Sequence, residues 1–221
     1  MKDLNKIYKL LLNQYGKQNW WPTTLEKDIH PTYHGKKLDD SMRFEIVVGA
    51  ILTQNTSWKN VEKAIIELNK NKILTINGIL KNKVQKLEKT IKSAGYYRQK
   101  AERLKIIAKF FKENPFSKLK KLQTEKLREI LLNIKGIGPE TADSILLYAF
   151  EKPVFVIDAY TKRMCHYLGI CSADLDYNEI QKLFMKNLKP DAKLFNEYHA
   201  LIVEHSKHCY SKKPYCDELL K

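Results

Sequence analysis

The sequence predicts a folded, all-α protein, and three observations lead to this prediction. Apolar residues recur at three- and four-residue spacing along most of the 221 residues, which is the period of an amphipathic helix. The chain has only 8 glycines and 7 prolines, too few for a turn-rich β-sandwich or barrel. Hydrophobic residues make up 43% of the chain, which is typical of a folded protein. We therefore expect about ten helices and no convincing strand.

The predicted helices follow one another along the chain. The first begins near Leu4 and ends before Gly16, and residues 22–40, with two prolines and a glycine, predict a long loop. The run from Arg43 to Leu52 is almost entirely apolar, and its length favours a buried helix over a strand. Further helices are predicted at about 57–68, 79–91, 101–111, 124–132, 139–150, 159–168, 176–188 and 191–206.

The charge of the chain has two interpretations that composition alone does not separate. Its 40 Lys and Arg residues against 25 Asp and Glu residues give a net charge of +15. This excess can serve solubility, or it can attract the phosphates of a nucleic acid. No stretch approaches 18 apolar residues, and the charged N-terminal segment lacks a cleavage site, so we expect no membrane partner and a cytoplasmic protein. Four cysteines do not indicate a disulfide scaffold.

The segment from Leu131 to Asp143 predicts a helical hairpin that binds phosphate. A helix ends at apolar residues, Gly136-Ile137-Gly138 follows, and Pro139 stands where a second helix begins, at the position where its missing N–H costs nothing. The N–H groups at the start of the second helix then form an anion site that contacts the DNA backbone without reading sequence. A plain turn between two core helices is the alternative, which the full motif disfavours.

Residues 131–163, LLNIKGIGPETADSILLYAFEKPVFVIDAYTKR, resemble the helix-hairpin-helix and Asp signature of the endonuclease III family of DNA glycosylases. Residues 51–56, ILTQNT, resemble the family motif whose Gln enters the duplex, and the segment from Tyr198 to Lys207 resembles the helix before the family's iron–sulfur loop. The resemblance implies an all-α, two-lobed fold with a DNA-facing cleft. We expect one lobe from residues 1–40 and 151–221, and a central lobe from 41–150 that contains the hairpin at about 126–150.

The resemblance also implies roles for particular residues. Asp158 matches the family's catalytic Asp and would stabilise the positive charge that builds on the sugar as the N-glycosidic bond breaks. It also has the sequence position of a helix N-cap, which is compatible with that role because a cap stays ionised. The residues implied in DNA binding are Gln54, Gly136, Gly138, Thr141, Lys162 and Arg163. Gln54 has a plain alternative as a polar residue at a helix end.

The sequence departs from the family at two places. Bifunctional members attack the sugar with a Lys where this chain has Glu140, and a carboxylate cannot form a Schiff base. Glu140 is assigned either to the base pocket or to favouring its helix start. At the C-terminus only Cys209 and Cys216 keep the family's ligand spacing, and position 219 is Leu. A [4Fe–4S] cluster needs four cysteines, so we expect a lost cluster and no metal. A disulfide between the two is an alternative that a reducing cytosol disfavours.

These departures, with Asn19-Trp20-Trp21-Pro22, resemble the clusterless 3-methyladenine glycosylase branch, in which two aromatic residues sandwich the damaged base. Trp21 and Trp58 match those positions, and core packing is their alternative. The facing indoles would suit a cationic alkylated purine. The damaged base must be flipped out of the stack before its bond is hydrolysed.

The sequence therefore predicts a monofunctional DNA base-excision-repair glycosylase for alkylated purines, acting as a monomer on double-stranded DNA in the cytoplasm and associated with the nucleoid. The resemblance implies no cofactor beyond a monovalent cation held by hairpin carbonyls. Two alternatives remain. One is an endonuclease III-like glycosylase for oxidised or mismatched pyrimidines with AP-lyase activity. The other is a DNA-binding protein without catalysis that keeps only the hairpin.

Overall fold

The structure, a computed structural model, describes residues 3–172, 174–213, 215 and 217–220. Twelve α-helices dominate this part of the chain, and the all-α prediction is confirmed. They are α1 (Leu4–Tyr15), α2 (Asp40–Leu52), α3 (Trp58–Lys70), α4 (Ile76–Lys81), α5 (Val84–Thr90), α6 (Tyr97–Glu113), α7 (Phe116–Leu119), α8 (Thr124–Leu132), α9 (Pro139–Ser144), α10 (Ala159–Tyr167), α11 (Tyr177–Asn187) and α12 (Ala192–Cys209).

Shorter elements complete the description. A single 3₁₀ turn spans Lys92–Ala94, and a π-helical segment, Ile145–Ala149, continues α9 without a break. Strands β1 (Thr23–Thr24) and β2 (Pro31–Thr32) form a two-residue antiparallel ladder in the region that the sequence predicts as a long loop. Among the described residues, no helix is both long and apolar enough to cross a membrane.

The chain divides into two compact units, and the first contains both termini, Met1–Trp20 and Glu151–Lys221. Its core forms around α12, which packs against α1 and α10. The Tyr198 hydroxyl on α12 donates to the Leu4 carbonyl at 2.9 Å, and Phe155 stacks on Phe184 with ring centroids 4.3 Å apart. This core fixes the start of α10, where Asp158 lies.

Aspartate side chains begin four of the helices in the first unit. Asp3, Asp158, Asp176 and Asp191 each accept a hydrogen bond from a backbone N–H in the first turn of the following helix. These N–H groups have no partner inside their own helix, and a carboxylate also complements the positive end of the helix dipole. The aspartates therefore set the starting points of these helices.

The second unit spans Trp21–Phe150 and is built around α2. Every residue of α2 from Arg43 to Leu52 is buried, which confirms the buried helix predicted from its apolar run. The helix packs against the π-helical segment, α6 and α3. The buried guanidinium of Arg43 donates to the Ala149 carbonyl, so the cation in this apolar run has a hydrogen-bond acceptor inside the core.

Residues 21–40 belong to the second unit, although the sequence analysis assigns them to the lobe of the termini. The ladder of β1 and β2 is tied to α2 and α3 by polar contacts. The Thr24 N–H and hydroxyl donate to the Glu45 carboxylate at 3.0 and 2.8 Å, and Asn69 donates to the Thr24 hydroxyl at 2.8 Å. The structure thus divides the chain after residue 20 rather than at the expected residue 40, because these contacts join residues 21–40 to distant parts of the second unit.

Candidate active site and DNA-binding hairpin

The hairpin has the local geometry that its sequence predicts. After α8 the chain turns tightly, with the Ile137 N–H donating to the Ile134 carbonyl at 3.0 Å. Gly136 has a φ of +88°, which a residue with a side chain rarely adopts. Gly138 is the N-cap of α9 and supplies no side chain to cap it, and Pro139 occupies the first helical position. The first turn of α9 is thus built to accept an external hydrogen-bond acceptor.

Gly136 is required for a second reason, which is the packing of Arg103. A Cβ at Gly136 would lie 2.7 Å from Nε of Arg103 and 2.9 Å from its Cγ and Cδ. At Gly138, by contrast, an added Cβ would meet nothing within 4 Å. The first glycine therefore serves the fold of the turn, and the second leaves open space beside the backbone, where a phosphate can approach closely.

Gln54 is hydrogen-bonded to the hairpin. Its side-chain amide donates to the Gly136 carbonyl at 3.1 Å and to the Thr141 hydroxyl at 2.9 Å. The Arg103 guanidinium donates to the Gln54 side-chain oxygen, so the amide orientation is fixed from both ends. The structure thus joins three of the predicted DNA-binding residues in one network. Arg103 was missed, because nothing in its own helix distinguishes it from other basic residues of α6.

The predicted base-pocket tryptophans are neighbours, but they are not arranged as a sandwich. The Trp21 and Trp58 rings meet edge to face, with centroids 5.6 Å apart and planes at 87°. A base stacked between parallel rings needs about 7 Å between them, twice the usual contact distance. Trp21 also contacts Tyr148 at 5.1 Å. The two indoles therefore do not face each other in this arrangement, which is an aromatic cluster, and their assignment to the base pocket stays a prediction.

Trp21 is held in place by a glycine of α2. The indole Nε1 of Trp21 lies 3.1 Å from the point where a Cβ of Gly49 would be, and its Cζ2 lies 3.2 Å from that point. Tyr148, on the π-helical segment, covers another part of the ring. Trp58 is the first residue of α3 and is half-buried. Sequence reasoning found neither Gly49 nor Tyr148, since both act through long-range packing.

Asp158 is the N-cap of α10, as its sequence position predicts. Its Oδ1 accepts from the Thr161 backbone N–H at 2.7 Å and from the Thr161 hydroxyl at 2.9 Å. Its other oxygen, Oδ2, lies 3.6 Å from Nε2 of His199 on α12. The Asp158 side chain is 16% exposed, whereas that of His199 is 5% exposed. One carboxylate oxygen is therefore used by the cap, and the other faces a buried imidazole.

The surroundings of Asp158 keep it ionised. Burial is the largest influence on its pKa and raises it, but the charge interaction and hydrogen bond with His199 and the hydrogen bonds from Thr161 together outweigh burial. The pKa of Asp158 therefore lies below its ordinary value of 3.8. The preceding run from Val154 to Ile157 is buried, which limits water around the backbone that carries the carboxylate. His199 was missed as a partner of Asp158, because the two are distant in sequence and neither motif names the other.

The remaining predicted residues lie near the N-termini of α9 and α10. Glu140 is exposed in the first turn of α9, and Lys162 is exposed in the first turn of α10. Arg163 is half-buried, and its guanidinium donates to the Tyr210 carbonyl at 2.7 Å and lies 5.7 Å from the Tyr160 ring centroid. Arg163 thus has a structural role within its unit, whereas the ammonium of Lys162 extends from an exposed position.

The C-terminal segment does not fit a [4Fe–4S] cluster. Of the two cysteines with the family's spacing, Cys209 ends α12 and Cys216 lies outside the described residues. His205, Cys209 and Asp217 bring one possible ligand atom each within 4.8 Å of one another. Three such atoms of mixed type cannot replace four thiolates.

Hydrogen bonds account for the same group of side chains. Asp217 accepts from the Tyr210 hydroxyl and pairs with Nε2 of His205 at 3.2 Å, while Tyr15 bonds Nδ1 of His205 at 2.9 Å. This network ties Asp217 to α12 and α1. The hairpin cation implied by the resemblance stays a prediction, and the carbonyls of Gly136 and Gly138 already accept bonds from Gln54 and Ala142.

Comparison with known proteins agrees with the hairpin and the Asp-capped helix. Residues 48–190, which contain Gln54, the hairpin and Asp158, match the model of the HhH-GPD superfamily of base excision DNA repair proteins. The chain therefore belongs to this superfamily, whose members are DNA glycosylases acting in base excision repair.

Relatives and solved structures extend the similarity over most of the chain. A Methanocaldococcus jannaschii protein, provisionally named a DNA repair glycosylase, is 48% identical over 96% of this chain and 90% of its own. Endonuclease III of Sulfolobus acidocaldarius is 31% identical over 79% of this chain and 78% of its own. The crystal structure of Helicobacter pylori 3-methyladenine DNA glycosylase bound to 1,N6-ethenoadenine has a TM-score of 0.73 at 28% identity, covering 94% of this chain and 98% of that one.

Proposed function

We propose that this chain hydrolyses the N-glycosidic bond of alkylated purines such as 3-methyladenine in double-stranded DNA, without efficient strand cleavage. The observation that carries the proposal is the ionised Asp158 at the start of α10, beside His199. The similarity to the 3-methyladenine DNA glycosylase of H. pylori supports the substrate class. We also propose that the protein acts as a monomer in the cytoplasm, associated with the nucleoid.

Asp158 would act on the transition state rather than on the substrate. Breaking the N-glycosidic bond leaves positive charge on the sugar, and a fixed carboxylate near C1′ stabilises that charge. The oxygen that faces His199 can also orient or deprotonate the attacking water. An N-alkylated purine is already cationic and leaves readily, so the enzyme needs little acid catalysis. A single carboxylate and a pocket that recognises the base are then sufficient.

The aromatic cluster would supply that recognition. Indole faces attract a cationic ring, and a flipped base has no other stacking partner. Trp21 is fixed against Gly49 and Tyr148, whereas Trp58 lies at the first position of α3 and is half-buried. We propose that the base stacks on Trp21 and that Trp58 turns away from its edge-to-face position to make room. Trp58→Ala should then impair release of a bulky alkylated purine less than Trp21→Ala does.

Absence of strand cleavage is supported by the lysines near the hairpin. Glu140 stands at the position of the family's nucleophilic Lys and cannot form an imine with the sugar. Lys135 lies before the turn, not in the first turn of α9. Lys100 is 1% exposed and donates to the carbonyls of Leu52 and Ala94 at 2.8 Å each, so it is not accessible to a sugar.

DNA would be held by the hairpin backbone, Thr141 and Lys162. The N–H groups at the start of α9 suit a phosphate, and such contacts fix position without reading sequence. Tyr96 offers a further contact, because it is 67% exposed and has a φ of +44°, a strained conformation for a bulky residue. An exposed aromatic side chain of this kind can insert beside a base step.

A base-release assay tests the proposal. The protein is incubated with duplexes that contain 3-methyladenine, 1,N6-ethenoadenine, an oxidised pyrimidine, uracil or a G·T mismatch, and parallel samples receive borohydride. We expect release of 3-methyladenine, whose cationic ring suits the aromatic cluster, and no covalent adduct. Trp21→Ala should lose this release while binding an abasic duplex with nearly unchanged affinity. Release of pyrimidines alone would contradict the proposal.

The similarity to endonuclease III of S. acidocaldarius favours a second candidate, a glycosylase for oxidised or mismatched pyrimidines with lyase activity. The same assay separates the two candidates. A borohydride-trapped adduct, together with cleavage of an abasic duplex at the 3′ side, would support the second and overturn the first.

A further inference from the structure

Two cysteines meet at the C-terminal end of α10. Gly169 has a φ of +65° and follows the helix, its N–H donating to the His166 carbonyl at 3.1 Å. The Ile170 N–H donates to the Cys165 carbonyl at 2.9 Å. These two bonds form a Schellman motif, which turns the chain back over the last turn of the helix. Cys171 directly follows Ile170, so this backbone turn places Cys171 near Cys165.

The two thiols interact through a side-chain hydrogen bond, and they differ in exposure. The Cys165 and Cys171 side chains are hydrogen-bond partners, and both thiols are free. Cys165 is fully buried, whereas Cys171 is half-exposed. Lys162, one exposed side chain of the same helix, brings positive charge towards Cys171. An oxidant in solution can therefore reach one thiol, which has the second as a neighbour.

The hydrogen bond between the two thiols also makes Cys171 more reactive than Cys165. The hydrogen bond from Cys165 lowers the pKa of Cys171 to about 7 and, with the charge of Lys162, outweighs burial and the repulsion from Asp174. The same contact and burial raise the pKa of Cys165. A thiol with a pKa near the ambient pH combines a large thiolate fraction with good nucleophilicity. Cys171 is then the attacking sulfur and Cys165 the resolving one.

We propose that Cys171 and Cys165 form an oxidisable dithiol site that reacts with hydrogen peroxide and closes to a disulfide. The Cys171 thiolate attacks a peroxide oxygen, so that an S–O bond forms and the O–O bond breaks, with hydroxide leaving. The Cys165 sulfur then attacks the sulfenic sulfur, an S–S bond forms, and water leaves with the Cys165 proton. Two thiols are oxidised, one peroxide is reduced, and two waters result. This inference does not depend on the proposed glycosylase function.

Peptide mapping of the peroxide-treated full-length protein tests the proposal. Both cysteines fall in one tryptic peptide, from Met164 to Lys182, because no Lys or Arg separates them. After a brief treatment with hydrogen peroxide at neutral pH and alkylation, we expect this peptide to lose two hydrogens in mass and to resist alkylation. A thiol reductant should restore both alkylation sites.

Three variants make the result specific. Cys171→Ser should slow consumption of the first thiol roughly tenfold or more, because the buried Cys165 is unreactive alone. Cys165→Ser should stop the reaction at a sulfenic acid that dimedone traps on Cys171. The matched control Cys209→Ser should keep both the rate and the disulfide. The proposal is overturned if Cys209 or Cys216 is oxidised first while the Met164–Lys182 peptide stays fully alkylated. An unchanged rate in Cys171→Ser would also overturn it.

Discussion

α9 and α10 begin with the same backbone geometry but with different residues at the N-cap. Gly138 and Asp158 are both extended, with ψ near 180°, and each precedes a helix whose first N–H groups need acceptors. Gly138 has no side chain to offer them, and a Cβ there would meet open space. Asp158 supplies its own carboxylate to Thr161. The N-terminus of α9 is therefore open to an external anion, whereas the N-terminus of α10 is already occupied by the Asp158 carboxylate.

The difference between these two helix N-termini suits them to different tasks, one to binding DNA and the other to breaking the N-glycosidic bond. A helix N-terminus without a cap attracts a phosphate, since the dipole and the N–H groups both favour negative charge. A capped N-terminus instead holds a carboxylate ionised, because the same field stabilises its charge. In this chain the hairpin would hold DNA by the first principle, and Asp158 would stabilise the sugar cation by the second. The predictions below change one helix start at a time.

The largest expected effect follows from Asp158→Asn. Asn is an equally good N-cap, so α10 should keep its cap, while the negative charge is lost. We expect base release to fall by about 10²–10³-fold, measured in single-turnover assays on the alkylated duplex. The dissociation constant for that duplex should change little.

Asp158→Ala is the matched variant. It should lose base release to the same extent and also lose about 1 kcal/mol of unfolding free energy, because Ala cannot cap. If Asp158→Asn retained base release within about threefold while Asp158→Ala lost it together with stability, the carboxylate would be a helix cap and nothing more.

Glu45 provides a third case, because its carboxyl group lies in the middle of α2 rather than at a helix N-terminus. Glu45 lies within α2, is 6% exposed, and accepts two bonds from Thr24. Burial dominates there, and the bonds from Thr24 only partly offset it, so the pKa of Glu45 rises from 4.5 to about 7. Burial is the largest influence on Asp158 as well, but the helix start and His199 reverse its effect.

The raised pKa predicts a loss of stability as the pH increases. Below about pH 4.5 Glu45 is protonated in both the folded and the unfolded state, so it costs nothing. Between about 4.5 and 7 only the unfolded state releases the proton, and above 7 the full cost of about 3 kcal/mol is present. Glu45→Gln removes this cost. Urea unfolding at about pH 5 and 8 should show the variant gaining on the parent at the higher pH.

The parent and Glu45→Gln share all other titrating groups. The contributions of those groups cancel in the difference between the two unfolding free energies, so the parent serves as the control. Equal pH dependence of the parent and Glu45→Gln would mean that Glu45 titrates as it does in the unfolded chain.

Local patterns made part of this structure predictable. The Gly136-Ile137-Gly138-Pro139 turn, the Asp158 cap and the limits of most helices follow from residues within one or two turns of each other. The buried α2 follows from its continuous apolar run. The two-residue ladder near Thr23 was not predicted, because two residues are too few for a strand pattern.

Contacts between distant residues were not predictable in the same way. Arg103 reaches Gln54 from another helix, His199 reaches Asp158 from α12, and Gly49 admits the ring of Trp21. Each of these residues also has an ordinary explanation in its own segment, as a solvated Arg, a core His or a helical Gly. The edge-to-face geometry of Trp21 and Trp58 depends on side-chain packing, which a motif spacing does not contain.

The next largest effect is expected when α9 is given the same N-cap residue as α10. Gly138→Asp should provide α9 with a carboxylate cap, so the stability of the protein should be unchanged or slightly higher. The same carboxylate would stand where a phosphate approaches, and we expect about tenfold weaker binding of duplex DNA. Fluorescence anisotropy with an undamaged duplex measures this change.

The control for that variant is Gly138→Ala, because the φ of −94° and the open space at Gly138 admit a Cβ. Its DNA affinity should fall less than that of Gly138→Asp. Equal affinities for the Asp variant and the parent would show that this helix start does not meet phosphate.

The smallest expected effect is on the salt dependence of DNA binding. Lys162 is exposed in the first turn of α10, whereas the neighbouring Arg163 is committed to the Tyr210 carbonyl. If Lys162 contacts one phosphate, Lys162→Ala should reduce the slope of log K against log salt by about 1 and weaken binding about threefold at moderate salt. Lys186, exposed in the last turn of α11, is the matched control, and its Ala variant should keep the parental slope. Equal slopes for all three proteins would confine phosphate binding to the hairpin, so that the capped helix contributes chemistry alone.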